Sequence, residues 1–164
     1  MIGGVSFFEQ ASFSNPHPLR LSLSKPPAHM SPTTMHTLTR STHAALLQAA
    51  AAAAPHEACG LLLGAGEHIA AIGPALNVAD APLTRFEIDP AALIAAHRAA
   101  RAGGPALLGY YHSHPTGHPR PSATDCEHAS GDGRVWAIVA GGAVTLWRDG
   151  RDGFGALPYE QVDG

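Results

Sequence analysis

From Met35 onward the chain switches repeatedly between two apolar periods. Strict alternation or short apolar runs predict strands, and apolar residues three or four apart predict helices. "HTLTR" (36–40) alternates and predicts a short strand. "STHAALLQAAAAAA" (41–54) predicts a helix, with Ser41 or Thr42 as N-cap and alanine favouring the helical state. Pro55 ends it. "ACGLLLGA" (58–65) is a buried-strand run, and "HIAAIGPAL" (68–76) returns as a second strand after a turn at Gly66. "TRFEI" (84–88) alternates and predicts a third.

Asp89 and Pro90 then suit the N-cap and first position of a helix. Its expected apolar face carries Leu93, Ile94, His97 and Ala100, and Gly103-Gly104 stops it. "ALLGYYHSH" (106–114) predicts a strand that Pro115 must terminate. A Pro/Gly loop leads to Ser122, where a short helix can begin. "RVWAIVAGG" and "AVTLWRDG" predict a hairpin, and "FGALPYEQV" (154–162) a last strand. There are no internal repeats. This order predicts a single α/β domain over 35–164, with one mixed sheet flanked by helices.

Residues 1–34, rich in Ser, Pro and His, lack that periodicity and are expected to form a disordered leader. They have no basic flank or long apolar centre of the kind a signal peptide needs. The 164 residues carry a formal net charge of -3, which advertises neither nucleic-acid nor membrane-surface binding. No apolar run approaches the ~20 residues that span a bilayer. Cys59 and Cys126 form no CxxC pair and no disulfide framework, so a reducing, cytoplasmic setting is expected.

The densest chemistry lies in "YYHSHPTGHPRPSATD" (110–125). Residues i and i+2 of a strand share a face, so His112 and His114 present two imidazoles side by side, with Ser113 turned away. A shared divalent ion would suit two such neutral rings. Asp125, in the first turn of the following helix, is a candidate third ligand. Two histidines and a carboxylate leave one position open to water, the arrangement of catalytic rather than structural zinc. Zinc brings the pKa of that water to about 7. A simpler reading also exists: Ser122-x-x-Asp125 has the form of a capping box, which would account for both residues by helix-start chemistry alone.

The run resembles the JAMM (MPN-plus) metalloprotease signature: His-x-His-Pro, a spacer, then Ser-x-x-Asp. Upstream, "PHEACGLLLG" supplies a glutamate, Glu57, before an apolar strand, and "RFEIDP" (85–90) is similar to bacterial members. The resemblance covers Met35 to the C-terminus. It implies an MPN-type fold, related to that of cytidine deaminases. It implies zinc at His112, His114 and Asp125, Glu57 as acid/base and Ser122 as stabiliser of the transition state. It further implies cleavage of an amide or isopeptide bond after the C-terminal glycines of a ubiquitin-like protein. At this length the resemblance is to the short bacterial branch, whose implied substrates are adducts of ubiquitin-like sulfur carriers. A RadC-type protein and a non-catalytic MPN binding module are the alternatives. A zinc deaminase would need His-x-Glu and Pro-Cys-x-x-Cys, which are absent. A cysteine protease on Cys59 would need a partnered, partly exposed thiolate, whereas Cys59 sits in an apolar run.

Overall fold

The computed structural model describes residues 35–164, and the expected leader lies outside the described residues. Eight strands and three helices follow in the order β1 (His36–Thr39), α1 (Arg40–Ala53), β2 (Cys59–Ala65), β3 (His68–Ala75), α2 (Pro90–Arg101), β4 (Ala106–Ser113), α3 (Ala123–His128), β5 (Val135–Ala140), β6 (Ala143–Gly150), β7 (Gly153–Leu157) and β8 (Tyr159–Val162). The strands form one mixed sheet in the order β7-β6-β5-β4-β2-β3-β1-β8. This is the expected α/β architecture.

The two faces of the sheet do different work. Leu62, Tyr111, Ala137, Val139, Val144 and Leu146 turn to one side and pack with Leu46 of α1 into the main core. Residues paired directly opposite one another share a face. Cys59 pairs with His112, His112 with Ile138, and Ile138 with Thr145, so these four lie in a row on the other face. β4, which ends in the histidines, sits in the middle of the sheet between β2 and β5. Its close approach to β5 depends on Gly109, because a Cβ there would collide with the Val135 carbonyl.

Four local expectations are corrected. The α1 N-cap is Thr39, whose hydroxyl accepts from the Thr42 amide, so the helix begins two residues earlier than the Ser/Thr cluster at 41–42 suggests. "TRFEI" is not a strand. Its only ladder contact is an isolated bridge between Asn77 and Ile88. The Asn77 side chain holds two more of the segment's backbone groups, accepting from Glu87 N at 3.1 Å and donating to Arg85 O at 3.0 Å, while the Thr84 and Arg85 amides donate to the Ala81 carbonyl. On α2 the covered stripe is Ala92, Leu93, Ala96 and Ala100, while Ile94 and His97 are exposed. "FGALPYEQV" breaks at Pro158 into β7 and β8, which occupy opposite edges of the sheet. Pro158 cannot donate to a ladder, which favours a change of partner there.

Candidate metal centre

Strand alternation puts His112 and His114 on the face opposite the main core, and sends Ser113 to the core side, where its hydroxyl accepts from the Ala58 amide at 2.8 Å. The β2–β4 ladder continues past the strand end, with Ser113 N donating to Ala58 O at 3.0 Å. In that register the residue two before Cys59, Glu57, comes across from His114 on the site face. Asp125 arrives from α3. It is held by both halves of a capping box: Ser122 N donates to Asp125 Oδ2 at 2.7 Å, and Asp125 N donates to Ser122 Oγ at 3.1 Å. Helix-start chemistry and convergence on the histidines are therefore not alternatives. The cap is the device that aims the carboxylate.

Three buried donors meet here. His112 Nε2 lies 2.9 Å from His114 Nε2 and 3.2 Å from Asp125 Oδ1, and His114 Nε2 lies 3.3 Å from Asp125 Oδ2. A tetrahedral ion with bonds of about 2.0–2.2 Å keeps its ligand atoms roughly 3.3–3.6 Å apart, so the spacing fits one shared ion with minor opening. The His114 ring is oriented for it. Its Nδ1 bonds to the His118 carbonyl at 2.9 Å and must be the donor, because a carbonyl only accepts. That leaves the Nε2 lone pair facing the other two ligands, the usual outer-shell arrangement of a metal-binding histidine. His112, fully buried, is stacked by Phe86 with ring centroids 4.4 Å apart.

In the metal-free site each group responds to burial and to its neighbours in its own way. Burial pushes the His112 imidazole below its ordinary pKa and so favours the neutral, ligating form. Burial alone would raise Asp125, but hydrogen bonds from His112 and His114 outweigh it and hold the carboxyl well below the usual range. Burial alone would lower His114, but its hydrogen bonds with Asp125 and the His118 carbonyl, together with the charge of Asp125, outweigh burial and raise it. Glu57 behaves differently: with no donor to its carboxylate among the described residues, burial pushes it up to about 7.

The site opens into a cleft of about 320 Å³ lined by Glu57, Leu83, Thr84, His114, Arg120 and Ser122, among others. Ser122 is exposed there. Its oxygen accepts from Asp125 N, and its proton has no acceptor among the described residues, so it is free to donate into the cleft. A neighbouring apolar cavity of about 230 Å³, walled by Phe86, Ile88, Leu93, Tyr110 and Trp136, touches the other side of Asp125.

All five residues singled out from the sequence thus come together. His112, His114 and Asp125 supply the donors, and Glu57 and Ser122 line the cleft beside them. Sequence reasoning missed the Phe86 stack and the His118 carbonyl, since neither carries a motif. The other upstream glutamates are placed elsewhere: Glu67 pairs with His36 and Arg148, and Glu87 is exposed.

Glu57 makes a testable contribution to stability. Its pKa rises from 4.5 to about 7 on folding, so the folded state holds the proton more tightly. Stability from this group is complete below the unfolded value, declines as pH rises toward about 7, and is lost above it. Glu57→Gln has no such proton. Without metal, the variant is expected to melt with the parent near pH 4 and above it at about pH 8. Thermal scans that show no divergence between the two pH values would mean that Glu57 is not desolvated.

Such a centre, with buried donors at the mouth of an open cleft and a desolvated carboxylate beside them, is suited to holding a metal ion within reach of a bound molecule. Residues 39–150 match the family described as prokaryotic homologs of the JAB domain, and the chain belongs to that family. It is 40% identical over 95 residues to the desampylase of Haloferax volcanii, covering 57% of this chain and 68% of that protein. It is 42% identical over 76 residues to a probable TtuB-protein conjugate cleaving protease of Thermus thermophilus, covering 46% of this chain and 51% of that one. The chain thus spans about half the length of the second relative. A solution structure from Desulfitobacterium hafniense superposes with a TM-score of 0.71 at 29% identity, covering 79% of this chain and 94% of that one. A JAB1/MPN domain protein from Archaeoglobus fulgidus shares the fold at 20% identity, with a TM-score of 0.55 over 79% of this chain and 99% of that one.

Proposed function

We propose that the protein is a zinc-dependent hydrolase that cleaves the amide or isopeptide bond between a small ubiquitin-like sulfur carrier and the group attached to its C-terminal glycines. The observation that carries this reading is the placement of Glu57 across the ladder from His114, beside three buried donors that share one point. The names of the two relatives, one a desampylase and one a conjugate-cleaving protease, support the substrate class.

His112, His114 and Asp125 would hold the zinc, which when bound supplies an acidified water and polarises the scissile carbonyl. Glu57 takes the proton from the attacking water and later hands it to the departing amine. In the metal-free site burial raises the Glu57 carboxyl, the direction that lets it hold a proton between the two transfers. The Ser122 hydroxyl, with its proton unclaimed, donates to the oxygen that becomes negative as the carbonyl is attacked. A Gly-Gly tail has no side chains and fits a narrow cleft in extended form, where backbone bonds can hold it. Among the described residues no helix is long and apolar enough to cross a membrane. The two free cysteines, one buried and one exposed, accord with a cytoplasmic enzyme.

The test is incubation of the purified, zinc-loaded protein with carrier–cysteine and carrier–protein adducts, read by mass. Release of the free carrier, stopped by a chelator and restored by zinc, is the expected result. The non-catalytic binding module expects a complex and no release.

A further inference from the structure

The loop from Pro115 to Pro121 forms one wall of the cleft and has no regular structure of its own. Prolines at 115, 119 and 121 fix three of its φ angles. Two carbonyls near its end are engaged in succession. The His118 carbonyl accepts from His114 Nδ1 at 2.9 Å and from Arg120 N at 2.8 Å. The Pro119 carbonyl accepts from the Thr145 hydroxyl at 2.6 Å. Thr145 in turn accepts from Trp147 Nε1 at 2.9 Å. Thr145 and Trp147 are two apart on β6, so they share the site face of the sheet. The result is a directed chain from the Trp147 indole through the Thr145 hydroxyl to the Pro119 carbonyl, in which each bond polarises the next.

We propose that Thr145, backed by Trp147, is a positioning residue for the metal ligand His114. It pins the Pro119 carbonyl and thereby holds the adjacent His118 carbonyl where it fixes the tautomer and direction of the His114 ring. Nothing else among the described residues ties the Pro119 carbonyl to the sheet. The inference rests on the metal reading above, and concerns how firmly the site is held rather than what it cleaves. A threonine on a strand needs no such role, since β-branched residues suit sheets in any case. The discriminating feature is therefore the hydroxyl, not the shape.

Thr145→Val keeps the branched shape and removes the hydroxyl, both as donor to the Pro119 carbonyl and as acceptor from Trp147 Nε1. Zinc affinity, measured by competition with a chromogenic chelator, is expected to fall several-fold, up to the ~10-fold at the low end for a direct partner of a metal ligand, because Thr145 acts on His114 through the loop carbonyls. Thr145→Ser restores the hydroxyl and is expected to recover most of that loss. The absorption spectrum of the cobalt(II)-loaded protein should change in Thr145→Val and return in Thr145→Ser. Trp147→Phe, which leaves the loop contact in place but removes the donor behind it, should weaken zinc binding by a smaller factor. It provides the comparison should the valine variant fold poorly. Parent-like zinc affinity and cobalt spectrum in Thr145→Val, with only a lower melting temperature of the metal-free protein, would reduce Thr145 to a structural residue and overturn the proposal. A parent that binds no zinc at all overturns the metal reading itself, a result distinguishable from the first.

Discussion

Glu57→Gln is expected to hold zinc like the parent and to lose hydrolysis by roughly 10²–10⁴-fold, the usual scale for a missing general base. The substitution preserves the shape of the side chain and an accepting oxygen, but it cannot take a proton. Metal retention follows from the geometry, because the three donors that converge are His112, His114 and Asp125, and Glu57 is not among them. Substrate binding should also survive, since the rest of the cleft wall is untouched. The comparison needs only one adduct, with zinc content determined in both proteins. A variant that cleaves as fast as the parent with zinc in place would remove Glu57 from the chemistry. Neither Glu67, tied to His36 and Arg148, nor the exposed Glu87 is placed to take over.

Asp125→Asn separates the two jobs that one carboxylate performs. As part of the capping box it accepts from Ser122 N, and an asparagine oxygen can do the same. The capping part of the cost should therefore stay within ~1–2 kcal/mol, and any further loss in the metal-free protein reports the carboxylate's pairing with His112 and His114. As a ligand it brings the negative charge that faces two imidazoles at 3.2 Å and 3.3 Å, and asparagine has none. Zinc affinity should fall by far more than the roughly 10–100-fold typical of an outer-shell loss. Measuring melting temperature of the metal-free protein and zinc affinity in parallel distinguishes them. A large stability loss with zinc affinity preserved would make Asp125 a cap only.

The site was legible in the sequence because its spacing is short and its elements are regular. Period-two alternation alone puts His112 and His114 on one face, and Ser122-x-x-Asp125 writes a helix start directly into the chain. Glu57 was legible only through its resemblance to a motif, since composition gives no reason to prefer it to Glu67. The β2–β4 register supplies that reason. What was not legible depends on partners distant in the chain. "TRFEI" alternates as a strand does, and Phe86 and Ile88 do turn inward while Glu87 turns out. Alternation reports sidedness, not sheet membership, and the Asn77 side chain holds this segment where a neighbouring strand would. The expected α2 stripe includes Ile94 and His97, whereas the half-buried positions are Ala92, Leu93, Ala96 and Ala100, because in so alanine-rich a helix the apolar signal does not mark which side faces the sheet. That leaves Ile94, the more apolar residue, outside. Thr145 and Trp147 gave no signal at all. Their role exists only because β6 lies two strands from β4 and faces the loop that β4 enters.

The most direct test of the central claim is a zinc titration of the chelator-treated protein, with hydrolysis of a carrier adduct followed by mass at each step. Hydrolysis is expected to be absent without metal, to rise in proportion to added zinc, and to level off at about one equivalent per chain, as a single two-histidine, one-carboxylate site requires. Hydrolysis that persists undiminished after the metal has been removed, or that never appears when the site is filled, would contradict it.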